Sequence, residues 1–177
     1  IGNALYLDGV DSYIDTPDHA DFDIAAGDFC VKLWFKWISG VGTELFGNAD
    51  ATWTNQGIVG EISGVSGIYA YLDCGATWPN FPDYTTPITD PADWHYVRFI
   101  RYSNFLYTYL DGASIGTPED VTGKTVTDVA AKFALGRAGD FDGYYFNGYI
   151  DDFIFLKGDA DWANREVVPV RTKETGA

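Results

Sequence analysis

Asp93–Gly112, DWHYVRFIRYSNFLYTYLDG, decides the fold. Trp94–Tyr102 and Phe105–Leu110 are built almost entirely of aromatic and β-branched residues, which favour strands. Only Ser103-Asn104 separates them, and Asn tolerates the positive φ that a two-residue hairpin demands. The second strand runs into Asp111-Gly112, a strong short-range hairpin signal that starts a third strand.

Outward from this hairpin the same pattern repeats. Asn3–Ile14 alternates around Asp8-Gly9 and predicts strand, turn and short strand. The loop 16–27 carries Phe22 and Ile24, expected to plug it onto the core. In Asp28–Trp37, DFCVKLWFKW, one face holds Phe29, Val31, Leu33, Phe35 and Trp37, and must be core. The other face holds Cys30, Lys32, Trp34 and Lys36. Further strands are predicted over Val41–Asn48, Gln56–Ser63, Gly67–Cys74, Ala131–Gly136 and Tyr144–Leu156, the last interrupted at Gly148. Gly75–Pro91, with Trp78, Phe81 and Tyr84, and Thr117–Asp128 read as loops. A single helical turn is expected near Ala160–Arg165. Many strands between regular turn signals define an all-β chain, a two-sheet antiparallel sandwich or a barrel.

The chain of 177 residues is long enough for one sizeable core and short for two. Its net charge of −15 argues against nucleic acid and anionic membranes, which need a cationic surface. Of the 26 acidic residues 21 are Asp, the residue that suits turns. No run of apolar residues is long enough to span a membrane, so no membrane insertion is expected. The N-terminus lacks a basic segment followed by an apolar one, so no signal peptide is read there. The chain starts at Ile1 and contains no Met, which suggests a processed, excised or incomplete product. Cys30 and Cys74 either form a disulfide in an oxidising compartment or remain free thiols.

Three stretches resemble one family. ALYLDGVDSYIDTPDHADFDIAAGDFCVKLWFK looks like the opening of LamG-like jelly-roll domains of the concanavalin A-like lectin/glucanase superfamily. WHYVRFIR…LYTYLDG is similar to that family's central strand pair, and FALGR…GYYFNGYIDDFIFLKG to its closing strands. The resemblance covers residues 3–158 and implies a concanavalin A-like jelly roll over 1–158, with 159–177 as a tail packed on the domain or on a neighbour. It further implies a module, usually non-catalytic, that binds glycans or proteins or packs into an assembly, outside a cell or on a virion surface. The Asp-Trp tail is similar to those of LamG-like modules in phage tail and virion proteins.

Glycosidases of this superfamily carry Glu-x-Asp-x-Glu on one strand, and this chain has no such pattern. A hydrolase needs two facing carboxylates, about 5–5.5 Å or 6.5–9.5 Å apart. Glu44, Glu61, Glu119, Glu166 and Glu174 are scattered, and Asp140 and Asp142 lie in a Gly-rich loop. No catalytic residue is assigned, and a glycoside hydrolase is the least favoured reading.

Asp151 shares its alternation with Phe153 and Phe155, so a core-facing carboxylate is expected there. It must accept backbone N–H bonds or hold a cation. Because the superfamily often joins its first and last strands with calcium, the resemblance makes Asp8, the Gly9 carbonyl and Asp151 candidate ligands. No cofactor is required, and calcium would be structural.

The hairpin's second face carries Tyr96, Arg98, Ile100, Tyr107 and Tyr109, and Trp34 joins it. A solvent-facing sheet should be polar, so this face is a candidate glycan or assembly surface, with the Gly75–Pro91 loop as alternative cover. Arg98 would anchor a carboxylate or form an internal salt bridge. Trp53, Trp78, Tyr144 and Tyr145 lie in loops or at strand ends, where such residues bury much area at little entropic cost. A non-enzymatic structural or adhesive subunit that self-associates is the first functional expectation. A lectin-like glycan-binding module is the second.

Overall fold

The alternation in Phe29–Ser39 (β3) lines up as expected: Phe29, Val31, Leu33 and Phe35 are wholly buried in the core between two sheets. The computed structural model describes residues 4–39, 43–62, 67–75, 77–79, 81, 88 and 93–169. Tyr84 and Glu174 lie outside these, as do Asn3, Val41 and Ser63 at the ends of predicted strands. The other described strands are β1 (Leu5–Asp8), β2 (Ile14–Thr16), β4 (Thr43–Ala49), β5 (Gln56–Ile62), β6 (Ile68–Leu72), β7 (His95–Tyr102), β8 (Phe105–Leu110), β9 (Ala113–Asp120), β10 (Phe133–Leu135) and β11 (Asn147–Lys157).

They form two antiparallel sheets, six strands in the order β1-β11-β3-β7-β8-β9 and five in the order β2-β10-β4-β5-β6. The β7–β8 hairpin turns through Ser103 and Asn104, both at positive φ, and β8–β9 through Asp111 and Gly112, also both positive. This is the backbone twist that two-residue hairpins require. Between the sheets, Val97, Phe99 and Leu106 meet Leu45, Phe46, Ile58, Ile62, Ile68 and Leu72. Each such fully buried side chain stabilises the fold by about 1.5–3 kcal/mol. Ile24 plugs the 16–27 loop into this core, with Phe22 packed beside it. On β4 and β5, the ring of Phe46 lies over its register partner Gly60, where even a Cβ would come within 2.4 Å.

The short strand β2 pairs with β10, in the other sheet from β1. Two features depart from the sequence expectation. Residues 117–120, read as loop, continue the exposed edge strand β9. More consequential is a bulge in β11. The pairing with β3 shifts at Gly148, as expected, and again between Asp151 and Ile154, with Asp152 at φ 49°. One extra residue inverts the alternation. Ile150 therefore faces the core and so do Phe153 and Phe155, while Asp151 lies on the outer face opposite Trp34. The expectation of a core-facing carboxylate at Asp151 is thereby corrected.

Candidate functional site

The aromatic face of the six-stranded sheet is not open. Trp34, Tyr96, Arg98, Ile100 and Tyr109 are all buried, and Tyr107 is half-buried. Among the described residues the cover is the chain's own tail, whereas Trp78 lies against Tyr71 and Phe81 sits in the inter-sheet core. Ala160 packs with Cys30, Ile100 and Tyr109, while Trp162 lies on Tyr102 and Tyr107. Asp161 pairs with Lys32 and, at 2.9 Å, with Arg98, whose second nitrogen donates to the Val167 carbonyl at 2.9 Å. Arg98 thus forms an internal salt bridge. A single 3-10 turn, Trp162–Asn164, shapes the strap where one helical turn was expected.

The outer face of the five-stranded sheet is different. Ile68, Ala70 and Leu72 of β6 point into the core, so Tyr69 and Tyr71 point out. Across β5 the register sets Glu61 beside Tyr69 and Val59 beside Tyr71, and across β4 it sets Glu44 directly opposite Glu61. Cβ atoms of such a pair stand about 5 Å apart. Trp53 and Tyr144 rise on one side, with ring centroids 5.7 Å apart, and Trp78 leans on Tyr71 at 5.9 Å on the other. Together with Gln56 they line an open groove of about 590 Å³, within the size range of small-ligand sites.

Two of its walls are held in an uncommon backbone state. Trp53 has φ 59° and Tyr144 φ 53°, left-handed values that cost a bulky residue about 1–3 kcal/mol each. Local bonds sustain them. The carboxylate of Asp50 accepts from the backbone N–H of Thr52, Thr54 and Asn55 at 2.9–3.0 Å, and these bonds hold its acidity well above the usual carboxylate range. Phe141 buttresses Trp53 and stacks with Tyr144. The Tyr144 carbonyl accepts from the Glu44 N–H at 2.8 Å and so fixes that loop to β4.

The groove's electrostatics are unusual. Burial pushes the Glu44 carboxyl up to about 10, helped by the like charge of Glu61. Burial also raises Glu61, against a hydrogen bond from Tyr69. Glu44 is 1% exposed and Gln56 2%. Glu44 Oε2 and Gln56 Oε1 accept no hydrogen bond among the described residues.

Of the aromatic residues singled out from sequence, Trp53, Trp78 and Tyr144 line the groove. Tyr145 turns away, against Tyr13 and Asp142. Glu44, Glu61, Gln56, Tyr69 and Tyr71 were missed. The alternation of Ile68–Leu72 held the signal for the two tyrosines.

The candidate calcium ligands are not gathered. Register places Asp8 opposite Asn147, four residues and roughly 13 Å along the strand from Asp151. Asp8 Oδ1 already accepts the N–H groups of Val10, Asp11 and Ser12. These residues do not fit a shared cation, and no cluster of three or more metal-ligating side chains occurs among the described residues. Cys30 packs under the tail and Cys74 against the inter-sheet core, on opposite sides of the six-stranded sheet. Both are free thiols, packed in separate clusters.

Two antiparallel sheets, an inter-sheet core and an aromatic groove on one outer face define a lectin-like jelly roll. The chain belongs to the family described as the concanavalin A-like lectin/glucanases superfamily, whose laminin G profile matches residues 8–158. Among solved structures it is similar to domain 4 of AbnA, a GH43 extracellular arabinanase from Geobacillus stearothermophilus, in complex with arabinotriose. That match has 22% identity and a TM-score of 0.68, covering 94% of this chain and 76% of the other. The CBM40 of the Ruminococcus gnavus IT-sialidase, bound to alpha2,3 sialyllactose, matches at 14% identity and TM-score 0.69, covering 90% and 91%. Domains LG4-5 of the mouse laminin alpha1 chain match at 15% and 0.62, covering 86% of this chain and 40% of that one. No curated protein sequence matches. No helix among the described residues is long and apolar enough to cross a membrane.

Proposed function

We propose that the protein is a non-enzymatic carbohydrate-binding module whose glycan lies in the groove over Glu44, Glu61, Tyr69 and Tyr71. One observation carries this reading: aromatic rings wall a groove whose floor presents buried, unpartnered oxygen acceptors. Sugar rings offer apolar C–H faces to aromatic planes and hydroxyl donors to acceptors, so this lining matches both halves of their chemistry. The arabinotriose and sialyllactose held by two similarly folded domains support the ligand class. The assembly reading is weaker, because the aromatic face on which it rested lies under the tail.

The test is affinity electrophoresis and a glycan array on the full chain. Trp78 is 43% exposed, so Trp78→Ala should fold normally and weaken binding about tenfold, the loss of one stacking contact of about 1.4 kcal/mol. Retention of no glycan by the native chain would sink the proposal.

A further inference from the structure

We infer that the groove selects glycans with a free ammonium group, such as glucosamine units, and seats that ammonium between Glu44 and Glu61, which stand directly opposite each other. This inference rests on the glycan-binding reading above and names its ligand class.

The groove floor is short of hydrogen-bond partners. Glu44 Oε2 and Gln56 Oε1 are buried oxygens with no partner among the described residues. Gln56 is held in place because its own amide nitrogen donates to the Trp53 carbonyl at 3.0 Å. A polar oxygen buried without a partner is costly, and a ligand that supplies donors removes that cost. An ammonium supplies three donors and no acceptor.

Charge narrows the choice. The groups facing Glu44 are Glu61 from β5, Tyr69 and Tyr71 from β6, and Tyr144 from the loop before β11. No Lys, Arg or His is among the described residues that line the groove. A carboxylated sugar would therefore meet two carboxyl groups and no cation. A neutral sugar could donate to Gln56 but brings no charge to favour ionised Glu44. An ammonium does bring that charge. Burial keeps Glu44 protonated in the free protein, so a bound ammonium draws that proton off and leaves an ion pair in the groove. Because Glu44 itself is buried, such a pair interacts more strongly there than in water.

Isothermal titration calorimetry on the full chain tests this, with four oligosaccharides of equal length: glucosamine, N-acetylglucosamine, glucose and galacturonate oligomers. Titrations run at mildly acidic pH, where glucosamine is cationic, in two buffers of different protonation enthalpy. The expected result is that the glucosamine oligomer binds at least tenfold more tightly than the glucose and N-acetyl oligomers. The galacturonate oligomer should bind most weakly, and glucosamine binding should release a proton to buffer. Glu44→Gln and Glu61→Gln should each shrink the glucosamine preference, and Glu44→Gln should abolish the proton release. Melting curves check that each variant folds, and either variant alone is sufficient. Equal binding of glucosamine and glucose oligomers, or a preference for galacturonate, overturns the charge selection while leaving glycan binding standing. Binding of none of the four, together with an empty glycan array, overturns both.

Discussion

The indole of Trp162 lies flat on the ring of Tyr102, with centroids 4.5 Å apart and planes 13° from parallel. Its edge reaches Tyr107 at 4.7 Å, and the Arg165 guanidinium sits 4.5 Å over the indole. This small stack closes the end of an apolar surface that the six-stranded sheet would otherwise offer to solvent. Trp162→Ala should therefore destabilise the chain by about 2 kcal/mol. That is below the 3–5 kcal/mol of a fully buried aromatic because Trp162 is only half-buried. Urea unfolding gives the free energy, and a dye that reports exposed apolar surface should bind the variant more. An unchanged midpoint would show that the strap contributes nothing.

Asp161 fastens the same strap through Lys32 and Arg98, and Arg98 is only 3% exposed. Asp161→Asn leaves that guanidinium without its charge partner, at a cost of about 3 kcal/mol at neutral pH. Burial alone would raise the Asp161 carboxyl, but hydrogen bonds from Lys32 and Asn164 and the charges of Lys32 and Arg98 outweigh it and lower it. The native state then binds this proton less readily than the unfolded state. The contribution is present above about pH 4 and is lost as pH falls through the lowered value. The stability gap between native chain and variant should close in that acid range, as urea titrations at stepped pH will show. A gap that persists at the lowest pH argues for a packing effect of the substitution instead.

The hairpin His95–Leu110 was legible nearly to the residue because its signals are local. Aromatic and β-branched runs meet at Ser103-Asn104, and nothing distant is needed to read them. The groove was not legible, because Glu44 and Glu61 meet only through a register fixed across the Asp50–Asn55 turn and two irregularities in the β4–β5 ladder. The position of Asp151 failed for a related reason. Strict alternation assigns it to the core, and one residue at positive φ, Asp152, moves it to the other face. The aromatic face was correctly located, but its covering is a long-range event. The strap that seals it lies far along the chain from β7 and β8, in a segment with no strand-like alternation of its own.

The two thiols should behave as separate buried or half-buried groups. Burial pushes the Cys30 thiol up to about 12 and also raises Cys74. A thiolate is the reactive species, so Cys30 should resist thiol reagents in the native chain near neutral pH. Both thiols should titrate after denaturation, with identical gel mobility under reducing and non-reducing conditions. A mobility difference in the monomer band would mean the cysteines do reach each other.

The opposed carboxylates impose the opposite pH dependence to the strap. Glu44, 1% exposed, is raised by burial first and by Glu61 second, to about 10. An unfolded glutamate releases its proton near pH 4.3. Between these values the native state holds a proton that the unfolded state has lost. By linkage, stability then falls with rising pH, at up to about 1.4 kcal/mol per unit for this group. Its contribution is fully present below the unfolded value and lost as pH rises through the folded one. Glu44→Gln keeps the shape and donor capacity of the protonated acid but cannot ionise. The variant should match the native chain near pH 4 and exceed it progressively toward alkaline pH. Paired urea titrations across that range measure the difference directly. Parallel curves would mean that Glu44 is ionised in the folded groove and that its proton is not available for a ligand to displace.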